Sequence, residues 1–203
     1  MKVLFATTNK ARVKYYALRL KEKGIDLVTL DDLDISAMPK ENGNNPLGNA
    51  IIKAKEYARL SGLLTISIDD GLFLDGIPIE EQPGTHVRRV NGKRLNDEEM
   101  IEYYTGLVNK YGSAGELKGH ILKGIAVVFG DNLESYQKKL PRCYTNKQSK
   151  IIDEGYPLSS IQMISKFNKF KSELTREEES ITIDLEQKEI FDFMMNAIEK
   201  LSF

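Results

Sequence analysis

KVLFATTNKARVKYYALRL, residues 2–20, reads as strand, polar turn and helix. Val3, Leu4, Phe5 and Ala6 form an apolar run long enough for a buried strand. Thr7, Thr8 and Asn9 break it with turn chemistry. Val13, Tyr16, Ala17 and Leu20 then recur at helical spacing, and Gly24 is the stop. This order places backbone N–H groups and small hydroxyls at a helix N-terminus, where anions bind. The same three polar residues serve equally well as caps.

Outward from that unit, Asn45 is a plausible N-cap with Pro46 at the first helical position. Leu47, Ala50, Ile51, Ala54 and Ala58 trace one helical face, which Gly62 closes. The run Leu63 to Ile68 is β-branched and ends in Asp69-Asp70-Gly71. A third helix is capped by Asn96 with Glu99 three residues on, and carries Met100, Ile101, Tyr104, Leu107, Val108 and Tyr111. His120 to Phe129 predicts a strand, with Ser135 to Tyr144 as its hairpin partner. Residues 131–150 are polar and Lys-rich, consistent with an exposed lobe. Residues 171–189 are acidic, and a last amphipathic helix uses Ile190, Phe191, Met194, Ile198 and Leu201. The order of elements predicts an α/β protein.

The 203 residues suit one domain or one domain with two lobes. Lys+Arg number 29 against 30 Asp+Glu, so no basic excess points to a nucleic-acid binder. The hydrophobic set is 41% of the chain, enough for a real core. No apolar run approaches a membrane span and no signal peptide is visible. Cys143 stands alone, which excludes an intrachain disulfide, makes a reducing cytoplasm the expected compartment, and leaves the thiol as a bystander. With only His86 and His120, a zinc cluster or a Ser-His-Asp site is poorly supplied. Neither G-x-x-x-x-G-K-[ST] nor G-x-G-x-x-G nor H-E-x-x-H occurs.

Carboxylate chemistry remains. Asp69 and Asp70 fall at the expected carboxyl end of a buried strand, the edge where open α/β sheets bind ligands. Two adjacent acids repel unless a cation or proton intervenes, and Mg²⁺ is bound by one or two carboxylates plus substrate phosphates. The alternative is that Asp-Gly only makes a turn. On the helix after Asn45, Asn49 and Lys53 share a face at i, i+4.

Taken together, these segments resemble the inosine/xanthosine triphosphate pyrophosphatase family. Its A-T-x-N-x-x-K-x-x-E is similar to Ala6 through Tyr15, its E-N-A-x-x-K-A to Gly48 through Ala54, its D-D-S-G-L-x-x-D to Ile68 through Asp75, and its P-G-x-x-x-x-R to Pro83 through Arg89. The four motifs stand in the family's order over roughly the first 115 residues. The resemblance implies an α/β fold with a mixed twisted sheet, flanking helices and two lobes around a cleft. The main lobe is expected over about 1–115 and 185–203, the smaller over about 116–184. It implies Mg²⁺-dependent hydrolysis of non-standard purine nucleoside triphosphates to the monophosphate and pyrophosphate, as house-cleaning of the nucleotide pool. A homodimer is also implied, while the charge balance and the lack of a long apolar run leave no nucleic-acid or membrane partner expected. Asp69 matches the catalytic, metal-binding acid. Thr7, Thr8, Asn9 and Arg12 match the phosphate-contacting opening, and Lys53 the helix lysine near the phosphates. Asn49, Asp70, Arg89 and Tyr156 complete the expected substrate contacts.

The sequence also departs from the family pattern. Arg12 replaces a lysine, Tyr15 a glutamate, and Gly48 a metal-binding glutamate. Asp70 replaces a serine, and is expected to restore the missing negative charge at the metal beside Asp69. Further on, Glu154-Gly155-Tyr156-Pro157 is a remnant of G-F-G-Y-D-P, Glu179 stands where a lysine follows A-E-L, and S-H-R has no counterpart. A nucleotide-binding or regulatory homologue with little hydrolysis is the alternative.

Overall fold

The computed structural model describes residues 1–7, 9–43 and 45–202, and the side chains of all of these except Lys10 and Ala11. The opening forms β1 (Lys2–Phe5) and α1 (Lys10–Lys21). Then come β2 (Asp26–Thr29), α2 (Pro46–Ser61) and β3 (Thr65–Leu74). The short strands β4 (Arg89–Val90) and β5 (Lys93–Arg94) precede α3 (Asp97–Tyr111). The long strands β6 (Glu116–Phe129) and β7 (Asn132–Thr145) follow. The chain ends with β8 (Met163–Ile164), β9 (Lys169–Phe170) and α4 (Arg176–Leu201).

Five strands form one sheet in the order β2-β1-β3-β6-β7. β1 runs parallel to both β2 and β3. Only residues 130 and 131 separate β6 from β7, a link that suits antiparallel neighbours and not a crossover. The sheet is therefore mixed, as the resemblance implied. Among the described residues no helix is long and apolar enough to cross a membrane.

The chain divides into two compact units, Met1–Asp70 with Lys123–Lys138 and Lys188–Phe203, and Gly71–Leu122 with Lys139–Gln187. The expected lobes divided differently, with all of 1–115 in one. β3, β6, β7 and α4 each contribute residues to both units. β3 does not stop at Asp69-Asp70-Gly71 but continues to Leu74, so the Asp-Gly turn reading fails. Its continuation has partners of its own: Leu72 bridges Gly84, and the Gln82 side chain pairs with both backbone groups of Leu74 at 2.9 and 2.7 Å. The final helix begins at Arg176, not near Ile190, so most of the acidic stretch is helical. Its acidic first turn complements the helix dipole.

In the first unit the strand pleat sorts side chains by parity. Val3, Phe5, Ile66, Ile68, Ile125 and Val127 face one way, against Tyr16 and Leu20 of α1 and Ile190, Met194 and Ile198 of α4. Ala126 and Val128 face the other way, against Ala50, Ala54 and Ala58 of α2. This alanine stripe lets α2 approach closely. A Cβ on Gly124 would lie 2.4 Å from the backbone of Leu47. Gly124→Ala is therefore expected to push β6 off the first turn of α2 and to cost about 1–3 kcal/mol, read as a lowered Tm.

The second unit has its own core, in which Met100, Ile101, Tyr104, Leu107 and Val108 of α3 pack with Leu72, Leu74, Leu117, Tyr144 and Ile161. The capping box of Asn96 and Glu99 is present as expected.

Candidate active site

β1 ends at Phe5, and the last pair it makes with β3 is Phe5 with Ile66. β3 continues beyond it, so Asp69 and Asp70 stand past the carboxyl end of β1. Consecutive strand residues face opposite sides, and the two carboxylates accordingly find different partners.

Asp69 faces α2. Its Oδ1 accepts from Lys53 Nζ at 2.8 Å and its Oδ2 from Asn49 Nδ2 at 3.2 Å. Lys53 also lies 3.6 Å from Glu41 Oε1. Asn49 and Lys53 thus share a face, as their spacing predicted, and that face is directed at Asp69. Helix α2 starts where Asn45 caps it, its Oδ1 accepting from Gly48 N at 2.9 Å.

Asp70 faces α1 and β6. Its Oδ2 accepts from Arg12 Nη2 at 2.6 Å and its Oδ1 from Lys123 Nζ at 2.7 Å. Arg12 also donates from Nη1 to the Ile68 carbonyl at 2.9 Å. Burial would raise the Asp70 carboxyl, but Lys123 and Arg12 outweigh it and hold the group below the usual carboxylate range. The Asp70 carboxylate is thus engaged by Arg12 and Lys123, on the opposite face of the strand from the Asp69 contacts with Lys53 and Asn49. The acid that shares Lys53 with Asp69 is Glu41, which the sequence reading missed. Its only signal was the polar stretch Glu41-Asn42-Gly43 ahead of the Asn45 cap.

Other expected contacts are placed as follows. Thr7 Oγ1 accepts from Asn9 N at 3.2 Å, and Asn9 Oδ1 accepts from Arg12 N at 3.0 Å, so both act in the cap of α1. Thr8 lies outside the described residues. Asn49 is 2% exposed, with Oδ1 accepting from Gly43 N at 2.8 Å. It is turned into the protein, with its Nδ2 on the Asp69 carboxylate. Arg89 and Tyr156 belong to the second unit, where both are exposed. The turn before Tyr156 is held by Arg88, which donates to Gly155 O at 2.9 Å and to Asp97 at 2.7 Å, while Gly155 N donates to Asp97 Oδ2 at 2.8 Å. Arg88 was not singled out in the sequence.

The other candidates stay outside the chemistry. His120 stacks on Phe73 with centroids 5.6 Å apart. Burial and then Glu116 push the Cys143 thiol up, away from the thiolate a nucleophile needs.

Among the described residues no group of three or more His, Cys, Asp or Glu side chains is placed to hold a metal ion. The described residues offer no all-protein cage. Mg²⁺ makes a different demand, one or two carboxylates with the remaining positions filled by water and substrate phosphates. Asp69 and Glu41, both drawn to Lys53, fit that demand. Arg12, Lys53 and Lys123 supply cationic groups suited to a polyphosphate.

Residues 3–132 match the profile of the Ham1 family. A dITP/XTP pyrophosphatase of Leptospira interrogans serogroup Icterohaemorrhagiae serovar copenhageni is 37% identical over 92 residues, 45% of this chain and 46% of its own length. A dITP/XTP pyrophosphatase of Leptospira biflexa serovar Patoc is 27% identical over 176 residues, 87% of this chain and 86% of its own. The chain spans about half the length of most of the curated relatives it matches. A HAM1 protein from Coxiella burnetii superposes with a TM-score of 0.74 at 18% identity, over 100% of this chain and 96% of that one, a likeness of fold.

Proposed function

The chain belongs to the Ham1 family, and from that premise we propose that it hydrolyses nucleoside triphosphates, non-standard purine nucleotides foremost, to the monophosphate and pyrophosphate. The observation that carries this reading is Asp69, fixed at both oxygens by Lys53 and Asn49 just beyond the end of β1. The relatives named dITP/XTP pyrophosphatase support the substrate class.

In this reaction a water oxygen bonds to the α-phosphorus as the bond from that phosphorus to the bridging oxygen breaks. The electron pair leaves with pyrophosphate, and the water proton passes to the Asp69 carboxylate. Lys53, next to that carboxylate, faces the charge that develops on the phosphate oxygens, where a fixed cation lowers the barrier most. Arg12, anchored on Asp70 and on the Ile68 carbonyl, offers a preorganised guanidinium to another phosphate oxygen. Asp69 and Glu41 would hold Mg²⁺, which when bound supplies charge neutralisation and acidifies water.

The test is pyrophosphate release from dITP, XTP, ITP and the standard triphosphates by the purified chain. Turnover is expected with Mg²⁺ and is expected to vanish when the metal is chelated and return when it is restored. Nucleotide-induced thermal stabilisation with no pyrophosphate from any member of the panel would overturn hydrolysis and leave a binding protein.

A further inference from the structure

Residues 37–43 lie along α2 as a strap pinned at both ends. Tyr57 Oη donates to the Ala37 carbonyl at 2.9 Å. At the other end Gly43 N donates to Asn49 Oδ1 at 2.8 Å. Between these points the strap brings Glu41 to Lys53. The seat at Gly43 is tight: a Cβ there would stand 2.7 Å from both the backbone nitrogen and Oδ1 of Asn49.

The orientation of the Asn49 amide follows from its partners. An N–H must meet the carbonyl oxygen, and a carboxylate must meet the NH₂ group. Oδ1 therefore belongs to Gly43 and Nδ2 to Asp69. At 2% exposure the side chain has no room to trade one partner for water. Neither bond can be lost without leaving a buried polar group unsatisfied.

We propose that Asn49 is a positioning residue that couples the strap to Asp69, so that the seating of Gly43 and the orientation of the reacting carboxylate form one unit. This rests on the pyrophosphatase reading of Asp69. It assigns Asn49 to the geometry of the acid and Gly43 to the same task by its missing side chain.

Two variants separate the two bonds. Asn49→Asp keeps an oxygen for Gly43 and sets a second carboxylate against Asp69. Asn49→Ala removes both contacts. Hydrogen exchange at the Gly43 amide reads the strap, and kcat and KM for dITP with Mg²⁺ read the acid. Asn49→Asp is expected to keep Gly43 protected while kcat falls about tenfold or more with KM little changed. Asn49→Ala is expected to speed Gly43 exchange by about tenfold and to lower kcat as well. Gly43→Ala, which unseats the strap, should lower kcat, and combining it with Asn49→Ala should cost little more than the worse single change. A merely structural role would not lower kcat while leaving the strap protected.

Full kcat in Asn49→Asp, unchanged Gly43 exchange in Asn49→Ala, or losses that multiply in the double variant would each overturn the coupling. If Asn49→Asp does not fold, Asn49→Ala and Gly43→Ala carry the same comparison. A parent chain that turns over no nucleotide would count against the pyrophosphatase reading alone. The coupling would then be decided by whether Gly43→Ala shifts the Asn49 side-chain amide resonance: a shift is expected, and its absence overturns the proposal.

Discussion

Asp69→Asn is expected to lower pyrophosphate release by about 10²–10⁴-fold, the range associated with losing a positioned general base. The substitution keeps the shape of the side chain and removes its charge. It also sets one NH₂ group against another, because the amide that replaces the carboxylate meets Asn49 Nδ2, which now donates to Asp69 Oδ2. Lys53 loses the anion that holds it at 2.8 Å. Some stability is therefore lost with the activity, and the two effects need to be parted. The reciprocal pair Asp69→Asn with Asn49→Asp restores one donor, one acceptor and the original charge count. That double variant is expected to recover the parent's Tm more fully than Asp69→Asn alone, yet to stay slow, since its carboxylate projects from α2 and not from β3. Recovery of turnover in the swapped pair would show that any local negative charge suffices and that the position of Asp69 is immaterial.

The largest effect on stability is expected at Asp70. It stands between Arg12 at 2.6 Å and Lys123 at 2.7 Å, whose side chains are 19% and 9% exposed. Asp70→Asn takes from both cations the carboxylate between them, a change that costs about 3 kcal/mol when one member of a largely buried ion pair is deleted. For a chain of this size each kcal/mol moves Tm by roughly 2–4 °C. Lys123→Met added to Asp70→Asn is expected to regain part of the loss, because it removes a largely buried charge that no longer has the Asp70 carboxylate. The pH dependence has a definite sign. Lys123 and Arg12 hold the folded-state carboxyl below its unfolded value. The stability it contributes is thus fully present above about pH 4, the unfolded carboxyl range, and is lost as pH falls through the lower folded-state value. Unfolding curves of the parent and of Asp70→Asn should lie far apart at neutral pH and converge in acid. A constant gap at all pH values would mean that Asp70 acts by packing alone.

Local signals account for much of this molecule. Helices α1, α2 and α3 begin at Asn9, Asn45 and Asn96, each with its side chain accepting from a backbone N–H of the first turn. Such caps need no distant partner, and so they could be read from a few neighbouring letters. The spacing of Asn49 and Lys53 on one helix face is equally local. The extent of β3 was not. Nothing near Asp69-Asp70-Gly71 distinguishes a turn from an ongoing strand, because the partners of that strand are distant in the chain: β6 in the sheet, a bridge to Gly84 and a clamp from Gln82. The acidic stretch before Ile190 had the same ambiguity, since solvent-facing charge marks an exposed surface without saying that the surface is helical.

The sequence by itself determined the strand-turn-helix opening, the caps, the helix that carries Asn49 and Lys53, and membership in a family through four motifs in order. These depend on short-range chemistry and on spacing, which the linear chain contains in full. Only the tertiary structure decided which acid shares Lys53 with Asp69. Adjacency in the chain favoured Asp70, but a strand turns successive side chains to opposite faces. The acid that reaches Lys53 is instead Glu41, carried in by a strap that hangs from Tyr57 and Asn49.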